Sequence, residues 1–226
     1  MSSTTHNRLE VFVDVFDEQN QRALPLAELT PVEFIRAILE EFQHSKMEFL
    51  GDNPEDYVLV RTDNGEELSP DATLGEQLQN GDHLILKERL APLPPGTKRP
   101  DAFLYLRELG GSHVYRIQWV PALIGRPDPT QPHDDWLAVN LRSAETGLRV
   151  SRRHAQITEK KGQFFIQSLS SNPTSVLRGR NTKPIPVPQT PMPLQAGDII
   201  ILDRSNIMLK VIFRDDAILD DEAPEA

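Results

Sequence analysis

The sequence predicts two domains, an α+β domain followed by an all-β sandwich. Up to residue 90, apolar–polar alternation typical of strands surrounds one well-marked helix start. Residues 91–100 contain four prolines, which predict a semi-rigid linker in extended geometry. From residue 101 to residue 214 the pattern is one of short strands separated by turn signals, without helical periodicity.

The α+β domain is predicted over residues 8–90, after a polar segment, residues 1–7, that we expect to be disordered. Residues 9–15 alternate between apolar and polar side chains and predict a half-buried strand. Residues 17–20 predict a turn, and residues 22–26 predict a second strand that would complete a hairpin.

The clearest helix start follows this hairpin. Thr30 suits the N-cap, Pro31 suits the first helical position, and Glu33 completes a capping box. The apolar face of this helix is predicted to be Val32, Ile35, Leu39 and Phe42, widened by Phe34 and Ile38. Strands are predicted at residues 57–60 and 83–86, with a short turn or helix around three leucines, Leu68, Leu74 and Leu78.

This β-β-α-β-β order, with turn signals at Asn64-Gly65 and Asn80-Gly81, resembles ubiquitin-like β-grasp domains over about residues 8–88. No Gly-Gly pair follows the last predicted strand, so the family's conjugation chemistry is not implied. In this respect the domain is similar to the unconjugated ubiquitin-like proteins of bacterial type VII secretion systems. The alternative, and the role we expect, is a β-grasp domain used as a docking surface.

The second domain is predicted to consist of strands throughout. Of the 19 prolines, 14 fall between Pro92 and Pro193, where they favour loops and edge strands over helices. The predicted strands are residues 103–106, 114–119, 122–124, 136–141, 154–158, 164–166, 175–177, 199–202 and 207–213. Residues 215–226 form an acidic segment that we expect to be disordered.

Composition and charge limit the function classes. The chain has no cysteine, which excludes disulfides, thiolate catalysis and cysteine-ligated metal sites. No apolar run is long enough for a membrane span and no secretory signal is visible, so a cytoplasmic location is expected. Residues 91–214 carry a net charge of +8, whereas residues 1–90 and 215–226 carry −12 and −6. A basic domain between acidic segments suits an anionic ligand, and ordinary solvated surface charge is the alternative.

The chemically richest stretch is Ser151-Arg152-Arg153-His154, which an apolar run follows. Gly125-Arg126 ends an apolar run upstream, and Ser170-Ser171-Asn172 and Gly197-Asp198 follow downstream. A phosphothreonine, with a charge of about −1.5 to −2, requires guanidinium forks and short hydroxyl or amide donors held on loops. These residue types lie at predicted strand ends, where the loops of a sandwich converge.

This order of motifs resembles the forkhead-associated (FHA) domain, a β-sandwich whose loops bind phosphothreonine peptides, over about residues 101–213. The resemblance implies that Arg126, Ser151 and Ser171 bond the phosphate. It also implies that Arg152 touches the peptide near the phosphothreonine and that Asn172 bonds the peptide main chain. Two further residues are implied to be structural supports of the site, Gly125 and His154.

Two features depart from the family's pattern. Pro173 replaces the usual glycine after the asparagine, and its fixed φ is expected to change the loop that orients Asn172. The segment 127–150 is longer than is typical, and residues 127–133 are expected to fold over the site or to extend it.

Four alternatives remain open. A serine hydrolase would pair Ser151 with His154 and an acid such as Asp203, although the chain has no nucleophile elbow. A metal site would have to join His113, His133 and His154, whose spacing is not clustered. Nucleic-acid binding would use the basic domain, which lacks interleaved aromatic residues and a recognition motif. The strongest alternative is a phosphate-independent protein–protein scaffold with a degenerate FHA domain.

The sequence therefore predicts a non-catalytic adaptor that binds phosphothreonine-containing proteins in Ser/Thr kinase signalling. No cofactor, metal or nucleic acid is expected, and a Ser/Thr kinase or its substrates are the expected partners. Phosphorylation of Thr4 or Thr5, in the stretch Ser2-Ser3-Thr4-Thr5, would let this tail bind the site within one chain or between copies. An unmodified tail is the alternative.

Overall fold

The computed structural model describes residues 7–42, 47–181 and 183–214. Contacts divide the chain into two compact units, residues 1–90 and 91–226. The predicted disordered segments, apart from Asn7, and the proposed phosphorylation sites Thr4 and Thr5 lie outside the described residues. Within the described part, no helix has the length and apolar character needed to cross a membrane.

The described part of the first unit contains one mixed sheet and two α-helices. The sheet has the strand order β2-β1-β4-β3, with β1 parallel to β4 and the other neighbours antiparallel. A 3₁₀ turn, Pro54–Asp56, precedes β3. The elements are β1 (Val11–Val15), β2 (Glu18–Ala23), α1 (Pro31–Phe42), β3 (Tyr57–Arg61), α2 (Leu74–Gln77) and β4 (His83–Glu88).

The predicted capping box begins α1. The Thr30 amide donates to the Glu33 carboxylate at 2.8 Å, and the Glu33 amide donates to the Thr30 hydroxyl oxygen at 3.3 Å. The Thr30 hydroxyl also donates to the Glu33 carboxylate, at 3.0 Å, and the two bonds that Thr30 donates lower the pKa of Glu33 because they stabilise the ionised carboxylate. The helix therefore begins at Pro31, as the sequence predicts.

The buried face of α1 differs in part from the prediction. Pro31 and the pairs Phe34–Ile35 and Ile38–Leu39 are buried, whereas Val32 and Phe42 are only partly buried. The buried residues after Pro31 are at positions i, i+1, i+4 and i+5, which 3.6 residues per turn place on one side of a helix. The predicted face is therefore correct at its centre, and its two outermost members, Val32 and Phe42, lie at the edge of the buried side.

The hairpin of the first unit also differs from the prediction. Its turn is Phe16-Asp17, with Phe16 at a φ of 52°, and β2 begins at Glu18. The predicted hairpin is present, but the turn predicted at residues 17–20 extends into β2, and the strand predicted at residues 22–26 begins four residues too late. The polar residues Glu18 to Gln21 form an edge strand, and the Asp14 carboxylate accepts a hydrogen bond from the Asn20 amide at 2.6 Å.

The second unit is a two-layer β structure. One sheet has five strands in the order β13-β10-β9-β7-β8, and the other has six in the order β12-β11-β14-β15-β5-β6. All neighbours are antiparallel except β7 and β8, which are parallel. The strands are β5 (Phe103–Glu108), β6 (Val114–Arg116), β7 (Ala122–Gly125), β8 (Leu137–Asn140), β9 (Ala155–Lys160), β10 (Gln163–Ser168), β11 (Thr174–Leu177), β12 (Ile185–Pro186), β13 (Met192–Pro193), β14 (Ile199–Leu202) and β15 (Ile207–Arg214).

One hydrophobic core lies between these two sheets. Leu104, Ile200 and Leu209 from the six-stranded sheet belong to the same buried cluster as Ile124 and Ile157 from the five-stranded sheet. All five side chains are fully buried. The unit is therefore a β-sandwich, and its loops gather at the two ends of the strands.

Residues 91–100, predicted as a linker, are hydrogen-bonded to the second unit. Lys98 and Val120 exchange two backbone hydrogen bonds of 2.9 Å, and the Trp136 indole donates to the Pro95 carbonyl at 2.9 Å. The strand predicted at residues 114–119 is shorter, because β6 ends at Arg116 and Val120 pairs with Lys98.

Candidate functional site

A glycine at the end of β7 allows two loops to approach closely. A Cβ on Gly125 would collide with the Arg152 carbonyl and would lie 2.9 Å from the Ser151 carbonyl oxygen. The space is used by backbone hydrogen bonds, since the Arg126 amide donates to the Arg152 carbonyl at 3.3 Å and the His154 amide donates to the Ile124 carbonyl at 2.9 Å. Gly125 therefore holds the Ser151 loop against the end of β7.

His154 supports this loop from below. Its side chain is buried, and its Nδ1 accepts a hydrogen bond from the Ser151 amide at 3.2 Å. Burial lowers the pKa of His154, and the Pro173 backbone and Asp203 oppose this shift to a smaller extent. The ring is therefore neutral near pH 7, with its proton on Nε2, because Nδ1 acts as the acceptor.

Hydroxyl and amide groups from two loops form a network above His154. The Asn172 side-chain amide donates to the Ser151 hydroxyl oxygen at 2.8 Å, and the Ser151 hydroxyl donates to the Ser170 hydroxyl oxygen at 3.1 Å. The Ser170 hydroxyl group in turn bonds both the backbone amide and the backbone carbonyl of Asn172, at 3.1 and 3.2 Å. Ser170 thus fixes the turn that ends in Asn172-Pro173.

An open depression of about 650 Å³ lies over this network. Ser151 and Asn172 line it, together with Leu148, whose side chain is exposed. Arg126 is anchored at its edge, because its Nε donates to the Val150 carbonyl at 2.6 Å and leaves the two terminal amino groups for a ligand. Four of the lining residues are arginines: Arg126, Arg149, Arg152 and Arg204.

Two carboxylates of the long 127–136 loop pair with the other guanidiniums of the Ser151 loop. The Nε of Arg152 lies 3.0 Å from the Asp128 carboxylate, and a terminal nitrogen of Arg153 lies 3.1 Å from the Asp134 carboxylate. Hydrogen bonds from Thr130 lower the pKa of Asp128, and the charge of Arg152 contributes to the shift. The loop therefore extends to the edge of the depression, beside Arg152.

The structure brings together Arg126, Ser151, Arg152 and Asn172 of the predicted binding residues, with Gly125 and His154 beneath them. Ser171 is exposed and does not line the depression, and its neighbour Ser170 occupies the hydrogen-bond network instead. The sequence analysis did not identify four residues that line the depression and one that supports it: Leu148, Arg149, Val150, Arg204 and Ser170.

The geometry does not form a catalytic serine–histidine pair. His154 accepts from the Ser151 backbone amide, whereas the Ser151 hydroxyl bonds Ser170 and Asn172. Asp203 accepts a hydrogen bond from the Ser175 hydroxyl at 2.8 Å. Among the described residues, no group of three histidine or carboxylate side chains is arranged to hold a metal ion.

The lowered pKa of His154 predicts that the second unit loses stability in mild acid. A histidine whose folded-state pKa lies below its unfolded value, about 6.5, binds more protons in the unfolded state. Stability is therefore complete above pH 7 and falls as the pH drops through 6.5, by at most about 1.4 kcal/mol per pH unit. Urea unfolding monitored by tryptophan fluorescence measures this, because Trp119 and Trp136, the only two tryptophans, both lie in the second unit.

The matched variant is His154→Gln, with His113→Gln as a control outside the core. We expect the free energy of unfolding to fall more steeply between pH 7.5 and 5.5 in the wild type and His113→Gln than in His154→Gln. Equal slopes in all three proteins would contradict the assignment of a buried neutral His154.

The fold and the site define an all-β sandwich domain with a basic site at its loop ends. The FHA domain model matches residues 123–203, which confirms an FHA domain in the second unit. No curated protein matches the chain significantly.

Several solved structures are similar to parts of the chain. The FHA domain of human APLF in complex with an XRCC1 bisphospho peptide is 22% identical, with a TM-score of 0.36 over 49% of this chain and 97% of that chain. Mycobacterium tuberculosis EmbR in complex with a low-affinity phosphopeptide is 27% identical, with a TM-score of 0.35 over 49% of this chain and 24% of EmbR. A designed protein based on ubiquitin is 23% identical, with a TM-score of 0.30 over 38% of this chain and 95% of that chain.

Proposed function

We propose that the second unit binds phosphothreonine-containing segments of partner proteins. The observation that carries this proposal is the convergence of Arg126, Ser151 and Asn172 on one open depression within the FHA domain. The terminal amino groups of Arg126 suit two oxygens of a phosphate, because a guanidinium fork and a phosphate match bidentately. The Ser151 hydroxyl supplies a further donor when it rotates away from Ser170.

The site is built for recognition without catalysis. His154, the one titratable base beneath it, is buried and bonded to the Ser151 backbone, so it holds the loop rather than activating a nucleophile. Asn172 lies beside Ser151 and offers an amide to the main chain of a bound peptide. We assign Arg152 the role of a peripheral contact near the phosphothreonine, because its guanidinium already forms an ion pair with Asp128.

The wider assignment is an adaptor in Ser/Thr kinase signalling, located in the cytoplasm. Within it, residues 101–214 are the phosphopeptide reader and residues 8–90 are a ubiquitin-like β-grasp docking domain. The strand order β2-β1-β4-β3, with parallel central strands and a helix whose buried face contacts β3, supports the β-grasp assignment. Self-association through phosphorylated Thr4 or Thr5 belongs to the same proposal and follows from the sequence alone.

The test is the affinity of the full-length protein for a degenerate peptide library with a fixed central phosphothreonine, measured by fluorescence anisotropy. We expect this library to bind at least about tenfold more tightly than the same library with threonine, because charge-assisted hydrogen bonds form only with the phosphate. A phosphoserine library serves as a second comparison and shows how far the threonine methyl group contributes.

Equal affinity for the threonine and phosphothreonine libraries would contradict the proposal. The scaffold alternative, in which partner binding does not depend on phosphate, would then be the better account of the domain. Binding to both libraries that collapses steeply with added salt would instead favour a polyanion such as nucleic acid.

A further inference from the structure

Residues 91–95, Ala-Pro-Leu-Pro-Pro, begin the second unit and belong to no helix or strand. A proline fixes its own φ at about −65° and disfavours helical geometry in the residue before it. Pro92, Pro94 and Pro95 therefore restrict the backbone of every residue in this segment. The regular conformation that satisfies these restrictions is the polyproline II helix.

The exposure of the segment follows the period of this helix. Ala91 and Pro94 are partly buried, whereas Pro92, Leu93 and Pro95 are exposed. A polyproline II helix has three residues per turn, so residues i and i+3 lie along one edge. The segment is therefore covered along the edge of Ala91 and Pro94 and open along its other two edges.

Hydrogen bonds within the second unit hold the first residue of the segment. The Ala91 amide donates to the side-chain carbonyl of Gln118 at 2.8 Å, and the Arg99 guanidinium donates to the Ala91 carbonyl. The same guanidinium donates to the Gln118 backbone carbonyl at 2.9 Å. Ala91 is therefore fixed through both its amide and its carbonyl.

The other end of the segment closes in a tight turn. The Thr97 amide and hydroxyl both donate to the Pro94 carbonyl, at 3.2 and 2.7 Å, and Gly96 supplies the positive φ of 78° that such a turn requires. The Trp136 indole holds the Pro95 carbonyl at 2.9 Å. A segment that is fixed at both ends loses little conformational entropy when a partner binds it.

Between these two anchors the segment presents unused binding groups. The carbonyl oxygens of Pro92 and Leu93 accept no hydrogen bond from any residue that the structure describes. The Leu93 side chain is 44% exposed, and the ring of Pro95 is exposed beside it. Pro92, Leu93 and Pro95 thus form an apolar surface with two free acceptors, which we call the proline ridge. The proline ridge carries no charge, so it does not suit a phosphate or a nucleic acid.

We infer that the proline ridge is a docking site for a partner domain that binds polyproline II helices in a groove lined with aromatic side chains. Aromatic rings pack against the proline rings and Leu93, and an indole, phenol or amide of the groove donates to the free carbonyls. Pairing with the edge of a partner's sheet fits less well, because prolines lack the amide donor that a β-ladder needs. No residue of the proline ridge lines the depression, so this inference is independent of the proposed function.

The experiment measures binding of the full-length protein to an array of purified SH3, WW and EVH1 domains, each immobilised for surface plasmon resonance. These three classes of domain bind polyproline II segments in aromatic-lined grooves. We expect at least one domain to bind with a micromolar Kd, because a ridge of this length buries less surface than a standard protein interface. An excess of a soluble polyproline peptide should displace the protein, since the peptide fills the same groove.

Leu93→Asn and Pro92→Ala are the test variants. The first removes the exposed apolar side chain, and the second removes a ring and releases the fixed φ, so we expect each to weaken binding about tenfold. Leu169→Asn and Pro184→Ala are the matched controls, because Leu169 is 41% exposed and Pro184 is exposed, both outside the proline ridge. All four substituted side chains are exposed, so the core of the sandwich is unchanged, and the two controls should bind like the wild type.

Three outcomes would overturn the inference. The first is that no arrayed domain binds the wild type more tightly than it binds Leu93→Asn and Pro92→Ala. The second is that the polyproline peptide fails to displace the bound protein, because the contact would then lie outside the aromatic groove. The third is that the controls lose as much affinity as the test variants. None of these outcomes bears on phosphothreonine binding, which the peptide libraries test separately.

Discussion

Replacement of Arg126 by alanine is expected to weaken binding of the phosphothreonine library to the full-length protein by roughly 100-fold, the equivalent of losing about 3 kcal/mol. The reason is that Arg126 is the lining arginine whose side chain is anchored in a single orientation, through the hydrogen bond from its Nε to the Val150 carbonyl. Its two terminal amino groups are therefore positioned before the ligand arrives, and little side-chain entropy is lost on binding. Fluorescence anisotropy with the phosphothreonine and threonine libraries measures the loss.

Arg126→Lys distinguishes geometry from charge. Lysine keeps the positive charge but loses both the anchor to Val150 and the bidentate fork, so we expect a loss of roughly tenfold. Arg180→Ala removes an exposed guanidinium outside the depression and should leave the affinity unchanged within error. An Arg126→Ala protein that is folded by tryptophan emission and retains wild-type affinity would place the phosphate elsewhere.

The parts of the site that short motifs encode could be predicted from the sequence. Gly125-Arg126 and the Ser151 loop each follow or precede a buried strand, and antiparallel pairing of β7 with β9 brings these two ends together. The pairing follows from apolar periodicity, which a sequence displays directly. The close approach at Gly125 is likewise a property of one residue type, because only glycine lacks the Cβ that would collide with Arg152.

The residues that could not be predicted depend on contacts between distant segments. Arg149 and Arg204 both line the depression, and the Thr146 hydroxyl joins their two turns by its hydrogen bond to the Ser205 carbonyl. No periodicity or motif in the sequence connects two turns that far apart. Ser170 and Ser171 show the same limit at short range. These two serines are adjacent and chemically identical. Ser170 rather than Ser171 joins the hydrogen-bond network of the site because its hydroxyl bonds the Asn172 backbone.

Errors in the first unit have a similar origin. The polar residues of β2 predict a turn when they are considered alone, yet they form an exposed edge strand because the adjacent β1 supplies the apolar face. The conformation of this segment is determined by pairing with the neighbouring strand and not by its own strand propensity. The start of α1 was predictable because the capping box is local, and the centre of its buried face was predictable from helical periodicity, whereas its edges at Val32 and Phe42 depend on how the helix packs against the sheet.

The second large effect concerns an ion pair between the partly exposed Arg178 and the buried carboxylate of Asp198. Asp198, which precedes β14, is 1% exposed and accepts two hydrogen bonds from Arg178, at 2.9 Å from Nε and 2.7 Å from a terminal nitrogen. Arg178→Met removes the guanidinium but keeps the length of the side chain, and leaves the Asp198 carboxylate buried without its counter-ion. We expect the free energy of unfolding of the second unit to fall by about 3 kcal/mol, as is typical when one partner of a buried pair is removed. Urea unfolding of the full-length protein, monitored by tryptophan fluorescence, measures this change.

The double variant Arg178→Met/Asp198→Asn tests the cause. An uncharged amide at position 198 removes the unpaired charge and can still accept the hydrogen bond that the Gln195 amide donates at 2.9 Å. The double variant is therefore expected to recover more than half of the lost stability, because the penalty for a buried unpaired charge exceeds that for a neutral polar group. Arg180→Met, at an exposed site two positions away, should change the stability by less than about 0.5 kcal/mol. If Arg178→Met were as stable as that control, the ion pair would not be a structural requirement of the sandwich.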